Sequence, residues 1–343
     1  MDPSKLLRKN IQTLKPYSSA RDEFTGEAMV FLDANENPFN QPYNRYPDPL
    51  QRELKKKISV LKNVPAESIF LGNGSDEPID LLIRAFCEPG KENIVTMDPT
   101  YGMYKVAADI SGVEIKKVSL NDDFDLDANK ILEAVNEHTK LVFLCSPNNP
   151  TGNSLNKDAI LEIVNSFNGI MVVDEAYIDF APGKTLLNEI DNYPNLVILQ
   201  TFSKAWGMAG IRLGMAFASK GIIDILNKIK YPYNLNVVTQ QKALEFIQKK
   251  EEVEKWIKLI IKERENLRKI LPEFPFVIKV YPSDANFLLV KMHDSKGIYD
   301  FLVEEGIIVR DRSKVHLCEG SLRITIGSPG ENELLLDTLK NLI

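Results

Sequence analysis

A chain of 343 residues, 44% hydrophobic and 26% charged, has the make-up of an ordinary globular protein and the length of about two domains. Its 42 basic and 48 acidic residues leave a net charge of −6 with no dense basic run, which argues against a nucleic-acid partner. No stretch reaches the roughly 20 apolar residues of a bilayer span, so no membrane role is expected.

The first residues lack the apolar core of a signal peptide. The three cysteines are far apart and fit reduced thiols, so a cytoplasmic location is expected. Of the three histidines, His138 and His293 lie in polar turns, and His316 has no visible partner in the sequence. A histidine triad or a metal site is therefore not expected.

Residues 1–30 have weak periodicity and read as an arm packing on the active site or the small domain. From there to residue 232, short apolar runs alternate with helical patterns. "SIFLGNG", "NIVTMDP", "VEIKKVSL", "KLVFLCSP", "GIMVVDE", "NLVILQTFSK" and "RLGMAFAS" read as strands. "DEPIDLLIRAFCE", "GMYKVAADISG", "DANKILEAVNEH" and "NKDAILEIVNSF" carry apolar residues at helical spacing. This alternation predicts an α/β fold, a mostly parallel sheet sandwiched by helices, as the large domain over 31–232. Runs that are apolar throughout are expected where both faces are buried. After the irregular "YPYNLNVVTQQ" come long helical segments without a sustained heptad, closed by Pro272. "ANFLLVKM", "GIYDFLVEEGIIVRDRS", "SLRITIGS" and a last helix from Glu331 then predict a smaller α+β domain over 233–343.

Ligands of open α/β sheets sit beyond the carboxyl ends of the strands, and four such ends here carry polar residues. In "GNGSDEP", residues 72–78, glycines and a helix start offer free N–H groups to an anion, though Asp76 reads equally well as a helix cap. "SPNNPTG", residues 146–152, is explained by turn chemistry alone, with Asn149–Pro150 a candidate cis bond. In "MVVDEAY", Asp174 closes a buried strand, where a lone carboxylate is costly unless it meets a cation or donors. In "TFSKAWGMAGIRLG", Lys204 ends another strand and Arg212 follows among glycines; an isolated lysine there would simply reach solvent. Taken together and in this order, they match the needs of pyridoxal 5'-phosphate: a lysine for its aldehyde, an acid for its ring nitrogen and donors for its phosphate.

Over nearly its whole length the chain resembles the aspartate-aminotransferase-like, fold type I group of pyridoxal-phosphate enzymes. The resemblance implies that Lys204 holds the aldehyde carbon and, once freed, acts as base at the substrate Cα. It implies Asp174 as partner of the ring nitrogen, Tyr177 and Asn149 as donors to the ring hydroxyl, and Tyr101 stacked on the ring. Gly74, Ser75, Asp76, Ser203 and Arg212 would hold the phosphate.

"LDANENPF", "NRYPDP", "IIVRDRS" and "LRITIGSP" further resemble the histidinol-phosphate aminotransferases. That family transfers an amino group between L-histidinol phosphate and 2-oxoglutarate, giving imidazole acetol phosphate and glutamate in histidine biosynthesis. The likeness implies Arg310 and Arg323 as substrate arginines, Tyr17 closing over the substrate phosphate, and Asn37 on the substrate side. Tyr46 would reach the cofactor phosphate of a second subunit, which implies a homodimer with shared active sites. Aromatic-amino-acid aminotransferases and threonine-phosphate decarboxylases share most of these motifs, and the substrate orientation that separates them is not visible in sequence. A regulator that only senses the cofactor would need a fused DNA-binding module, for which the arm is too short.

Overall fold

The computed structural model describes residues 2–17 and 29–342. Seven strands, β1 (Ile69–Asn73), β2 (Asn93–Asp98), β3 (Glu114–Ser119), β4 (Thr139–Cys145), β5 (Ile170–Asp174), β6 (Leu196–Thr201) and β7 (Leu213–Ala218), make one sheet in the order β1-β7-β6-β5-β4-β2-β3. All pairings are parallel except those of β7, which runs antiparallel to β1 and β6. The reversal places the amino end of β7 on the same edge as the carboxyl ends of its neighbours. That is the edge where Arg212 immediately precedes β7.

The apolar runs follow from where they sit. β5, β6 and β7 are buried at every position because helices cover both faces. Edge strand β3 is fully buried at no position and exposes Glu114, Lys117 and Ser119, with Lys116 beside them, which discourages pairing with another sheet. Helix Asp76–Phe86 packs Ile79, Leu82, Ile83 and Phe86, an i, i+3, i+4, i+7 stripe, against this sheet. Burying each such side chain contributes about 1.5–3 kcal/mol. Asp127 and Asn156 cap the helices Ala128–Ala134 and Lys157–Ser166 through their side-chain oxygens.

A second sheet holds β8 (Val277–Val280), β9 (Phe287–Met292), β10 (Arg310–Asp311) and β11 (Ser321–Thr325) in the order β10-β11-β9-β8, all antiparallel. It has its own apolar core, including Leu267, Leu288, Val290, Leu302, Leu322 and Leu339. Helix Val237–Ile247 buries Ala243 in the first core, and helix Lys250–Ile270 joins the two. The last helix, Pro329–Lys340, starts with a capping box between Ser328 and Glu331.

The two sheets are locked where the small domain meets the 146–152 loop. The Asp284 N–H donates to the Gly152 carbonyl at 2.7 Å, and the Asp284 carboxylate pairs with Lys184 at 2.7 Å and accepts from the Ser154 N–H at 3.1 Å. The Asn149–Pro150 bond, a candidate from its turn composition, is cis. Residues 2–13 rest on the large domain. There Arg8 pairs with Glu88 at 3.1 Å, and Lys228 donates to the Ile11 carbonyl at 2.7 Å. Residues 18–28 of the expected arm lie outside the described residues.

Candidate functional site

The carboxyl ends of β1, β2, β4, β5 and β6, the start of β7 and one face of the small sheet enclose a cavity of about 890 Å³. Twelve residues singled out in the sequence line it: Gly74, Ser75, Asp76, Tyr101, Asn149, Asp174, Tyr177, Ser203, Lys204, Arg212, Arg310 and Arg323.

At the β1 end, helix Asp76–Phe86 begins with Ser75 as N-cap, and that side chain makes no capping bond, which leaves first-turn N–H groups available. Arg212 has a left-handed backbone, φ +58, which turns its side chain over this helix start. Its guanidinium lies 3.6 Å from the Asp76 carboxylate. Two glycines make the approach possible. A Cβ on Gly74 would sit 2.5 Å from Arg212 Nη2, and one on Gly214 would sit 2.1 Å from the Gly74 carbonyl carbon. Asp76 is thus not the cap but the first helical residue, shared between Arg212 and the Tyr101 hydroxyl, which donates to it at 3.0 Å. Ser203 accepts from the Thr201 hydroxyl at 3.0 Å.

At the β5 end, Asp174 is 2% exposed. It accepts from the Tyr104 hydroxyl at 2.9 Å and from the Ala176 N–H at 3.0 Å. Burial raises its carboxyl to about 6, and the Tyr104 donor opposes that rise. Lys204 faces the cavity with its ammonium 5.5 Å from the centre of the Tyr177 ring. The enclosing walls lower its pKa, first by desolvation and then through the charge of Arg323, against the pull of Asp174 and Asp76. A larger fraction of neutral amine results, which suits a proton acceptor.

Small-domain residues complete the opposite wall. Arg310 and Arg323 are direct cross-strand partners on β10 and β11, so both side chains leave the same face. Arg323 donates to Asn149 Oδ1 at 2.5 Å and packs over the Phe287 ring, 5.1 Å from its centre. Asn149 in turn donates to the Tyr177 hydroxyl at 3.4 Å. One chain of contacts thus runs from the small sheet to the floor of the large one.

Three expected residues are not brought to this cavity within the chain. Tyr17 is 74% exposed. Asn37 holds a turn, accepting from the Phe39 N–H at 2.9 Å. Tyr46 stacks on Tyr233 with ring centres 4.4 Å apart.

Other groups in or behind the cavity wall went unmarked in the sequence. Tyr104 reads as one more apolar residue of a helical stripe, and only its spacing after Tyr101 in "YGMY" hints at a shared site. Arg312 follows Arg310 at the two-residue period of a strand. His316 does have a partner: its Nε2 and the Ser119 hydroxyl are 2.8 Å apart at the cavity mouth.

Residues 30–339 match the family described as aminotransferase class I and II. A histidinol-phosphate aminotransferase of Parabacteroides distasonis is 59% identical over 341 residues, covering 99% of each chain. The structure of the Clostridium acetobutylicum histidinol-phosphate aminotransferase superposes with a TM-score of 0.81 at 27% identity, over 88% of this chain and 91% of that one. The Sinorhizobium meliloti protein of that name, solved in complex with pyridoxal-5'-phosphate, shares the fold with a TM-score of 0.80 at 23% identity, over 87% and 84% of the two chains.

Proposed function

The chain belongs to the class I and II aminotransferases, and from that premise we propose that it passes the amino group of L-histidinol phosphate to 2-oxoglutarate. The products are imidazole acetol phosphate and glutamate, in histidine biosynthesis. One observation carries this reading: a single cavity joins Lys204, Asp174 and Arg212 of the large sheet to Arg310 and Arg323 of the small one.

The donor set supports pyridoxal phosphate as cofactor. A cation and free helix N–H groups meet where glycines leave no Cβ in the way, a buried carboxylate lies below, and an amine of lowered pKa stands beside them. When bound, this group supplies an aldehyde that takes up the amine and a ring that absorbs electron density. Arg212, Ser203 and the backbone at Gly74, Ser75 and Asp76 would hold its phosphate. Tyr101 would cover its ring, and Asn149 and Tyr177 would donate to its hydroxyl.

Asp174 would hold a proton on the ring nitrogen, its carboxylate fixed by the Tyr104 hydroxyl. Lys204 would hold the aldehyde carbon and, once freed, would move the proton at the substrate Cα. Arg323 and Arg310 fork onto the distal phosphate of one substrate and a carboxylate of the other.

The exposed side chains of Met29, Val30, Leu32, Phe39, Tyr43 and Tyr46 support a homodimer that covers them and shares its active sites. Three free, buried cysteines support a cytoplasmic location. Among the described residues, no helix is long and apolar enough to cross a membrane.

Steady-state rates with three amines test the substrate. Histidinol phosphate is expected to exceed phenylalanine in kcat/KM by at least about 100-fold, since an unfilled phosphate site leaves guanidinium groups unpaired. Comparable values would make the enzyme a broad aromatic aminotransferase. Carbon dioxide release from threonine phosphate would make it a decarboxylase.

A further inference from the structure

Arg312 extends the short strand β10 by one residue, its N–H donating to the Ser321 carbonyl at 3.0 Å. It stands two residues from Arg310, and so on the same side of the strand. Its side chain is half-buried and lines the cavity. Its Nε is buried without a hydrogen-bond partner among the described residues, and the Nε of Arg323 is in the same condition.

The charges around Arg312 sharpen the point. Burial brings its pKa down, and Arg323 and Arg310 press on it as well, to about 10. The opposing influences come from Cys318 and Tyr177, and none from a carboxylate. Neighbouring Asp311 is engaged elsewhere, accepting from Ser313 N–H and hydroxyl at 2.8 and 2.6 Å. Lys117, farther round the mouth, is paired with Asp98 at 3.3 Å. Three guanidinium groups therefore converge on one cavity wall of a chain whose net charge is −6. Such an arrangement is costly unless an anion completes it. A carboxylate has two oxygens, which the fork of one arginine satisfies. A phosphate monoester dianion has three free oxygens and a second charge, and can engage all three groups.

We propose that Arg312 is a third guanidinium ligand for the distal phosphate of the substrate and sets the preference for a phosphate monoester over its uncharged counterpart. The assignment rests on the transaminase reading above.

The test uses the cofactor-loaded enzyme, so that the cofactor's own phosphate site is filled. Arg312→Gln is expected to lower kcat/KM for histidinol phosphate about 30-fold, mainly through KM, the size of a lost charged hydrogen bond. For dephosphorylated histidinol the change stays below about threefold. Arg312→Lys, which keeps the charge without the fork, recovers part of the loss. Calorimetric titration with methyl phosphate should show weaker binding in Arg312→Gln than in wild type.

Equal losses on both amines, or unchanged methyl phosphate affinity, would overturn the assignment. A wild-type enzyme that ignores histidinol phosphate yet binds methyl phosphate through Arg312 would remove the substrate reading and leave the anion ligand standing.

Discussion

Lys204→Ala is expected to fold normally and to lose about 10,000-fold or more in kcat. The side chain reaches into the cavity beside the face of Tyr177 and takes no part in the apolar core. Removing it should change stability by no more than about 0.5 kcal/mol. The proposed reaction would draw on it twice, as the group that holds the cofactor aldehyde and as the base at the substrate Cα. General acid–base catalysis alone contributes about 100- to 10,000-fold. Single-turnover rates measured beside thermal unfolding separate the two effects. Partial rescue by a small primary amine is expected, because the proton transfer needs an amine and the vacated space can admit one. A loss below about 100-fold would move the proton transfer to another cavity group.

Asp174→Asn should lower kcat by about 100- to 1,000-fold, the scale of removing one well-placed electrostatic group. The amide cannot hold a proton on a ring nitrogen as a carboxylate does. The fold should tolerate it, since Asn can accept from the Ala176 N–H and donate to the Tyr104 oxygen, which reverses its role.

Stability of the cofactor-free protein then carries a pH signature. Burial raises the Asp174 carboxyl from 3.8 to about 6, so between those values the folded chain keeps a proton that the unfolded chain has lost. Its contribution to stability is full below pH about 4 and is lost as pH rises through about 6. The variant lacks this loss and gains on wild type by about 3 kcal/mol over the whole window, roughly half of it between pH 5 and pH 8. Urea melts of both proteins without cofactor at those two pH values measure the difference. A gap that does not change with pH would mean that Asp174 is already ionised in the empty site.

The strands of the large sheet were legible because burial on both faces writes them as unbroken apolar runs. Their direction was not. "RLGMAFAS" carries no mark that β7 runs against its neighbours, yet that reversal is what brings Arg212 to the ligand edge. Two helices also escaped notice. Arg52–Lys62 buries only Leu54, Lys55 and Ile58, so its apolar stripe is thin among lysines. Lys220–Ile229 follows β7 so closely that its isoleucines extend the apolar run. β8, an exposed edge of four residues, shows too little alternation to stand out.

The cavity residues of the large sheet were readable because each falls just past a strand end, where a lysine, an acid or a glycine turn is conspicuous. Tyr104 was hidden by chemistry, since a phenol within an apolar stripe looks like core until its hydroxyl is seen on Asp174. Arg312 was hidden by register, which only the pairing of β10 with β11 reveals.

The most direct measurement is a half-reaction. Cofactor-loaded protein is mixed with histidinol phosphate and no keto acid, and absorbance and product are followed together. Rapid loss of the yellow colour with one equivalent of imidazole acetol phosphate per site, and return of the colour on adding 2-oxoglutarate, is the predicted result. A protein that takes up no pyridoxal phosphate, or one whose colour is unmoved by histidinol phosphate, would contradict it.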